Sequence, residues 1–400
     1  MRPRHFTQFR PRLRTRGLAL GVVAATVWAA PAASAAPPQA TEPPQSFIVV
    51  LEESAGDPGA VAAEHARTYN TNPRFVYRSA LKGYSTVMDP RLAGALAGDP
   101  RVAYLEPDAV VRTVTTQSNA TWGLDRIDQR TLPLDTVFSY ARTGAGVKAY
   151  VIDTGIRASH EDFGGRVSAG FDALTDGAGP ATDCNGHGTH VAGTVGGLTY
   201  GGAKSVNLVP VKVLDCSGQG LTSVVIAGVD WVTADHQEGQ PAVANMSLGG
   251  GASPALDAAV KNSIIDGVSY AIAAGNGDDA GIEQDACGTS PARVAKAMTI
   301  SATASTDAKA SWANYGSCVD WFAPGVAITS AWWLTDTSTA TISGTSMAAP
   351  HTAAVAALYL QANPSASPAT VRNALFNLST KGIVTSARSA NNHLLFKKGL

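Results

Sequence analysis

Apolar spacing divides this chain into two successive patterns. Phe47-Ile48-Val49-Val50-Leu51 is an unbroken apolar run of strand length, and Pro58 to Tyr69 carries Val61, Ala62, His65 and Ala66 along one side of a helix. Arg74–Arg78 and Gly83–Met88 return to strand character, Arg91–Ala97 reads as a short helix and Val102–Leu105 as a strand. The order β-α-β-β-α-β predicts a small ferredoxin-like α+β unit. His65, on the apolar side of its helix, reads as a packed histidine rather than a reactive one.

Residues 107–121 are polar and predict an extended linker, after which the pattern changes. Strands are predicted over 147–152, 206–214, 242–246, 268–273 and 297–302, with helices over 221–236, 256–265 and 346–360. This alternation predicts an α/β fold with a mainly parallel sheet and helices on both faces. The mostly apolar strand over 147–152 suits a sheet covered on both sides. Pro210 is expected only near the end or edge of its strand. The stretch from Ser346 to Leu360 is apolar nearly all round, as in a buried helix, with Pro350 placed in or just after its first turn.

Composition agrees with a well-packed chain of two or three units: 400 residues, 45% hydrophobic, 15% charged and 40 glycines. The net charge of −1 conceals an asymmetry. Residues 1–35 hold Arg2, Arg4, Arg10, Arg12, Arg14 and Arg16 and no acid, so the remainder is net acidic. No basic patch is left to suggest nucleic acid, and no later run is long enough to span a bilayer. The basic stretch, the apolar run Gly17–Ala30 and the small residues Ala33-Ser34-Ala35 predict an export signal over 1–35, hence secretion. Pro- and Ala-rich residues 36–46 read as a linker. In an exported chain the four cysteines, Cys184, Cys216, Cys287 and Cys318, predict two disulfides, with three pairings open.

In parallel sheets ligands sit beyond the carboxyl ends of the strands. Asp153 ends one predicted strand, Ser247 follows another and Asn276 a third, while His187 opens an Ala/Gly/Val-rich helix and Ser346 begins the buried one. Each alone is commonly a cap or turn residue. Together they hold what acyl transfer by serine needs: a nucleophile, a base to take its proton, an acid to orient the base and a donor for the oxyanion.

Asp153-Thr154-Gly155, His187-Gly188-Thr189-His190 and Gly344-Thr345-Ser346-Met347-Ala348-Ala349-Pro350-His351, in that order and joined by Ala273-Ala274-Gly275-Asn276, resemble the signature segments of the subtilisin family. Trp122 to Gln129 and Val211 to Cys216 are similar to the proteinase K branch, especially aqualysin-type bacterial enzymes. The resemblance covers about residues 45–400. An α/β-hydrolase esterase would need G-x-S-x-G and a Ser…Asp…His order, which this chain lacks, and a dead relative would have lost a triad or oxyanion residue.

The resemblance implies a secreted endopeptidase of broad specificity, preferring apolar or aromatic P1 residues, in which Asp153 orients, His187 is the base and Ser346 the nucleophile. Asn276 and the Ser346 N–H would form the oxyanion hole, and Gly218-Gln219-Gly220 and Ser247-Leu248-Gly249 would sandwich an extended protein or peptide substrate. It selects the pairs Cys184–Cys216 and Cys287–Cys318. It suggests structural Ca²⁺ held by Asp320 with the Ala295 and Ala297 carbonyls, and a second site at Asp125, Asp128, Gln129 and Asp135, where Val137 replaces a side-chain ligand. No cofactor is implied for catalysis. It implies a monomer made as a precursor, in which residues 36–114 form an inhibitor and folding aid, and Ala109–Val114 lies in the cleft. The mature subtilisin-like domain would then span 115–400, from Thr115.

Overall fold

The computed structural model describes residues 43–109, 115–175 and 179–400. The expected export signal, residues 36–42 of the expected 36–46 linker and residues 110–114 ahead of Thr115 lie outside the described residues, while Gln45 and Ser46 belong to the first strand and not to a linker. The chain divides into two compact units, residues 1–110 and 111–400.

In the first unit the elements run β1 (Gln45–Leu51), α1 (Pro58–Thr68), β2 (Asn72–Tyr77), β3 (Gly83–Met88), α2 (Ala93–Ala97) and β4 (Val102–Pro107). The strands pair antiparallel in the order β2-β3-β1-β4, the ferredoxin-like arrangement. Asp57 caps α1 by accepting from Ala60 N at 2.9 Å, and Pro58 occupies the first turn, where its missing N–H has no partner to lose. Phe47, Val49, Leu51, Val61, Tyr84, Met88 and Leu96 form the core. His65 is buried among them, bonded to the Tyr84 hydroxyl at 2.6 Å and to Asp99 at 3.1 Å. Burial lowers its pKa, though Asp99 opposes this.

The second unit begins with β5 (Thr115–Ser118), α3 (Trp122–Asp128), β6 (Val137–Tyr140), β7 (Lys148–Asp153), β8 (Phe171–Asp172), α4 (His187–Gly196) and β9 (Asn207–Lys212). It continues through α5 (Thr222–Asp235), β10 (Ala242–Met246), β11 (Gly250–Gly251), α6 (Pro254–Asp266), β12 (Ser269–Ala273), β13 (Thr289–Ser290) and β14 (Met298–Thr303). It closes with β15 (Trp321–Pro324), β16 (Ile328–Ala331), β17 (Thr339–Ile342), α7 (Thr345–Ala362), α8 (Pro368–Leu378), β18 (Thr380–Lys381) and β19 (His393–Leu394). Nine strands form one sheet in the order β18-β19-β15-β14-β12-β10-β7-β9-β8, parallel except between β18 and β19.

Alternation along these strands feeds two separate cores. Ala149, Val151, Val243, Ala271 and Ile300 face α4 and α7, while Tyr150, Ile152, Ala244, Met246 and Ile272 face α5 and α6. Apolar runs are therefore required on these strands, because both faces are covered. In α7 every residue but Tyr359, Gln361 and Ala362 is buried. Burial of Val355, Leu358 and Leu360 contributes about 1.5–3 kcal/mol each and anchors the body of the helix in the core. No helix among the described residues is long and apolar enough to cross a membrane.

Two expectations are corrected. Residues 115–118 are not linker but pair with Val137–Tyr140 in a two-stranded ribbon, in which Gln117 Nε2 donates to the Thr199 carbonyl at 2.9 Å. Pro210 lies in mid-strand and not on the edge. Leu208 N donates outward to Arg166 O, and Pro210, two residues on, presents its missing N–H to the same outer side, where the short β8 has not yet begun. Pro350 falls just after the first turn of α7, as expected, with a consequence for the site described next.

Candidate active site

Three adjacent parallel strands, β12, β10 and β7, end on the same side of the sheet, and Asn276, Ser247 and Asp153 stand at or just beyond those ends. Two helix N-termini bring the other groups: His187 is the first residue of α4 and Ser346 the second of α7. Asp153 is fully buried and accepts from His187 Nδ1 at 2.7 Å and from Thr154 N at 2.8 Å. Burial of the ring works against protonation, but the charge and hydrogen bond of Asp153, with Asp183 behind it, hold His187 above the ordinary histidine value. The close approach of the two segments requires glycine: a Cβ on Gly188 would lie 2.2 Å from the Gly155 carbonyl.

Ser346 is held by a consequence of Pro350. A proline has no N–H to donate to the carbonyl four residues back, which here is that of Ser346. Ser247 Oγ donates to that carbonyl at 2.7 Å, and Asn245 Nδ2 donates to Ser247 Oγ at 2.8 Å. In return the Ser346 hydroxyl donates to the Ser247 carbonyl at 3.1 Å. Ser247 was expected only to line the substrate cleft; it also fixes the backbone of Ser346.

Asn276 Oδ1 accepts from both Thr345 N and Thr345 Oγ1 at 2.8 Å, which orients the amide and leaves Nδ2 as a donor on the exposed side. The loop carrying it is pinned by Asn314, whose Nδ2 donates to Ala274 O at 2.9 Å and whose Oδ1 accepts from Gly277 N at 3.0 Å. Thr345 and Asn314 were not foreseen. Thr345 could have been, since it adjoins Ser346 in the same signature segment.

A cleft of about 520 Å³ is lined by His187, Gly218, Gln219, Gly220, Ser247, Leu248 and Gly249. A second cavity of about 400 Å³ shares the Ser247–Gly251 wall and reaches Ala273–Asn276 and Ser346, with no charged side chain in its lining. Asp215 Oδ1 accepts from Ser217 N, Ser217 Oγ and Gln219 N, setting the turn that presents Gly218–Gly220. Cys184 is bonded to Cys216, tying the loop before His187 to this turn, and Asn185 Nδ2 adds a bond to Cys216 O at 3.1 Å. Cys287 is bonded to Cys318. His190 is buried, bonded to Ile328 O at 3.0 Å, and burial lowers its pKa to about 4, so it is a neutral core residue.

The calcium expectations fare differently at their two places. At Asp320 the Arg372 guanidinium pairs with Oδ1 and donates from Nε to the Ala297 carbonyl at 3.2 Å, while Thr299 N takes Oδ2 at 2.8 Å. An internal cation thus pairs with the carboxylate and with one of the two carbonyls expected to hold the ion, so Asp320 and Ala297 do not fit a metal as arranged. The reason is α8, which the sequence pattern did not reveal and which carries Arg372. At the other place Asp128 is engaged by Lys397 at 2.7 Å and Ser139 N, and the Gln129 amide donates to the Pro133 carbonyl. Asp125 differs: it is buried, Oδ2 accepts from Thr136 N, and Oδ1 has no partner. Burial raises its pKa against the pull of the Thr136 N–H, and the neighbouring Asp135 charge raises it further. Asp125 Oδ1 is thus a buried carboxylate oxygen left open beside the exposed Asp135, although among the described residues no three or more His, Cys, Asp or Glu side chains gather to hold a metal.

This geometry agrees with what the chain is similar to. The sequence profile of the subtilase family matches residues 144–399. An extracellular serine proteinase of a Thermus species is 54% identical over 356 residues, covering 88% of this chain and 85% of the relative. Alkaline serine exoprotease A of Vibrio alginolyticus is 52% identical over 334 residues, covering 82% of this chain and 61% of that longer relative. A solved structure described as a cold adapted subtilisin-like serine proteinase superposes with a TM-score of 0.67 at 53% identity, covering 71% of this chain and 99% of its own. The profile match over more than half of the chain and these relatives, with an ordered Asp153–His187 pair on a mainly parallel sheet, leave one conclusion: the chain belongs to the subtilase family of serine proteases.

Proposed function

We propose that this protein is a secreted serine endopeptidase that cuts peptide bonds through an acyl-enzyme on Ser346. The observation that carries the reading is the 2.7 Å bond from His187 Nδ1 to Asp153, at the mouth of a cleft whose wall also anchors Ser346. With Nδ1 donating to Asp153, the neutral ring presents Nε2 as the acceptor. Ser346 turns its hydroxyl from the Ser247 carbonyl to His187 Nε2 as it attacks the scissile carbonyl. The imidazolium so formed is stabilised by Asp153 and returns its proton to the leaving amine. Asn276 Nδ2 and the Ser346 N–H receive the oxyanion. The exposed backbone of Gly218–Gly220 and the Ser247–Gly249 segment sandwich an extended peptide, and the uncharged second cavity suits an apolar or aromatic P1 side chain.

The export signal and the extracellular relative support secretion. The compact first unit, which has no chemistry of its own, supports a precursor in which residues 36–114 aid folding, inhibit, and are removed by the enzyme near Thr115. A structural calcium ion belongs at Asp125 and Asp135 rather than at Asp320.

Labelling with a serine-directed phosphonate tests the core of the reading. The parent chain should be labelled on Ser346, and Ser346→Ala should be neither labelled nor active; a Ser346→Ala enzyme that still cleaves peptides sinks it. The same variant should accumulate as uncut precursor, and cleavage near Thr115 without other proteases would refute self-processing. Calcium should raise the parent's unfolding temperature by binding the native state. Asp125→Ala should abolish that rise and Asp320→Ala should leave it.

A further inference from the structure

We propose that Asp183 is a positioning residue for His187, its carboxylate locking the turn after Asp153 to the first turn of the helix that begins at His187. Only 4% of Asp183 is exposed, and it accepts five hydrogen bonds. Oδ1 takes Thr154 Oγ1, Asn185 N and Gly186 N, each at 2.9 Å. Oδ2 takes Thr189 N at 2.9 Å and Thr189 Oγ1 at 2.6 Å. Acceptance alone, from five donors, is the pattern of a carboxylate.

These donors lie on both sides of the Asp153–His187 bond. Thr154 follows Asp153 directly, and its hydroxyl oxygen also accepts from Gly188 N at 2.9 Å. Thr189 Oγ1 accepts from Arg157 N at 3.0 Å, tying the turn to the helix a second time. Gly186, Gly188 and Thr189 are the N-cap and first turn of α4, whose unpaired N–H groups need acceptors and favour a negative charge. One side chain therefore sets the separation of Asp153 and His187, which a single 2.7 Å bond does not determine.

The charge of Asp183 reaches His187 as well. His187 faces Asp153 directly and Asp183 behind it, with neutral His190 along its own helix. Buried Lys212 donates to the Thr154 carbonyl and faces both carboxylates, together with Asp172 and Asp215. Removing the charge of Asp183 thus favours the neutral base at lower pH, while loosening its placement slows the chemistry. Loss of stability alone acts in the opposite direction, cutting activity earlier on the acid side.

The inference rests on His187 being the base, and the experiment separates the two claims. Full-length chains carrying Asp183→Asn, Thr189→Val, Thr189→Ser or His187→Ala are prepared beside the parent, with folding checked by circular dichroism. kcat and KM on an uncharged peptide amide are then followed against pH. Asp183→Asn should lower kcat by about 10- to 100-fold with little change in KM. It should also move the acid limb down by roughly half to one pH unit. An acid limb that stays or moves up overturns the proposal. Should Asp183→Asn fail to fold, the Thr189 pair decides: Val should lower kcat and Ser restore it, and equal activity in the two overturns the proposal. Full activity of His187→Ala would overturn the reading of the site itself, whatever Asp183 does.

Discussion

Asp153 and Asp320 are both buried carboxylates on the same sheet, at opposite ends of its parallel strands: Asp153 is the last residue of β7, and Asp320 immediately precedes β15. Asp153 meets His187, a partner that changes charge near neutrality and stands at a cleft. Asp320 meets Arg372, a partner that never does. Burial raises the Asp320 pKa although Arg372 and Thr299 N oppose it. The same group is thus put to work at the carboxyl end, where helix N-termini and loops converge, and locked away at the other.

The largest test of that contrast lies at the carboxyl end. Asn276→Ala should lower kcat by about 10²- to 10³-fold with KM nearly unchanged, a scale known for such a donor in a subtilisin, a relative of this chain. Steady-state kinetics on a peptide amide check it, and a loss confined to KM would mean that Asn276 only binds substrate.

Next come the two disulfides. Replacing either pair by serines should cost about 2–4 kcal/mol, read from denaturant unfolding. Only loss of Cys184–Cys216, which joins the loop before His187 to the Gly218–Gly220 turn, should also lower kcat/KM.

At the other end of the sheet, Arg372→Met should leave kcat/KM within about twofold. It should destabilise by about 1–3 kcal/mol, less than a fully buried pair because Arg372 is partly exposed. It should also enlarge the calcium-induced rise in unfolding temperature beyond the parent's, by freeing Asp320 and the Ala297 carbonyl. An unchanged calcium response would show that Arg372 does not stand in for the ion.

The smallest effect is on pH. With the folded-state pKa of His187 held above its ordinary value, kcat/KM should fall on the acid side with a midpoint above about 6.5. The sign for stability is opposite. Protonated His187 stabilises the fold below the unfolded pKa, and that contribution is lost as pH rises through the folded one. Comparing the unfolding temperature of the parent and His187→Gln across this range checks the second half.

Much of this was legible because local chemistry repeats in sequence. The apolar runs of β7, β10, β12 and β14 are required by burial on both faces, and Asp153, Ser247 and Asn276 fall at strand ends that those runs define. The alternation of strand and helix, the buried character of α7 and the candidate triad residues are likewise properties of neighbouring positions. What the chain alone left open depends on residues distant in sequence. Arg372 meets Asp320 across 52 residues, and Ser247 reaches the carbonyl that Pro350 leaves free across 99. Asp183 joins two segments by bonds that no periodicity records. Such partners are decided by tertiary structure, because a buried polar group takes whatever donor or charge the packed fold brings within about 3 Å, and spacing along the chain carries no measure of that distance.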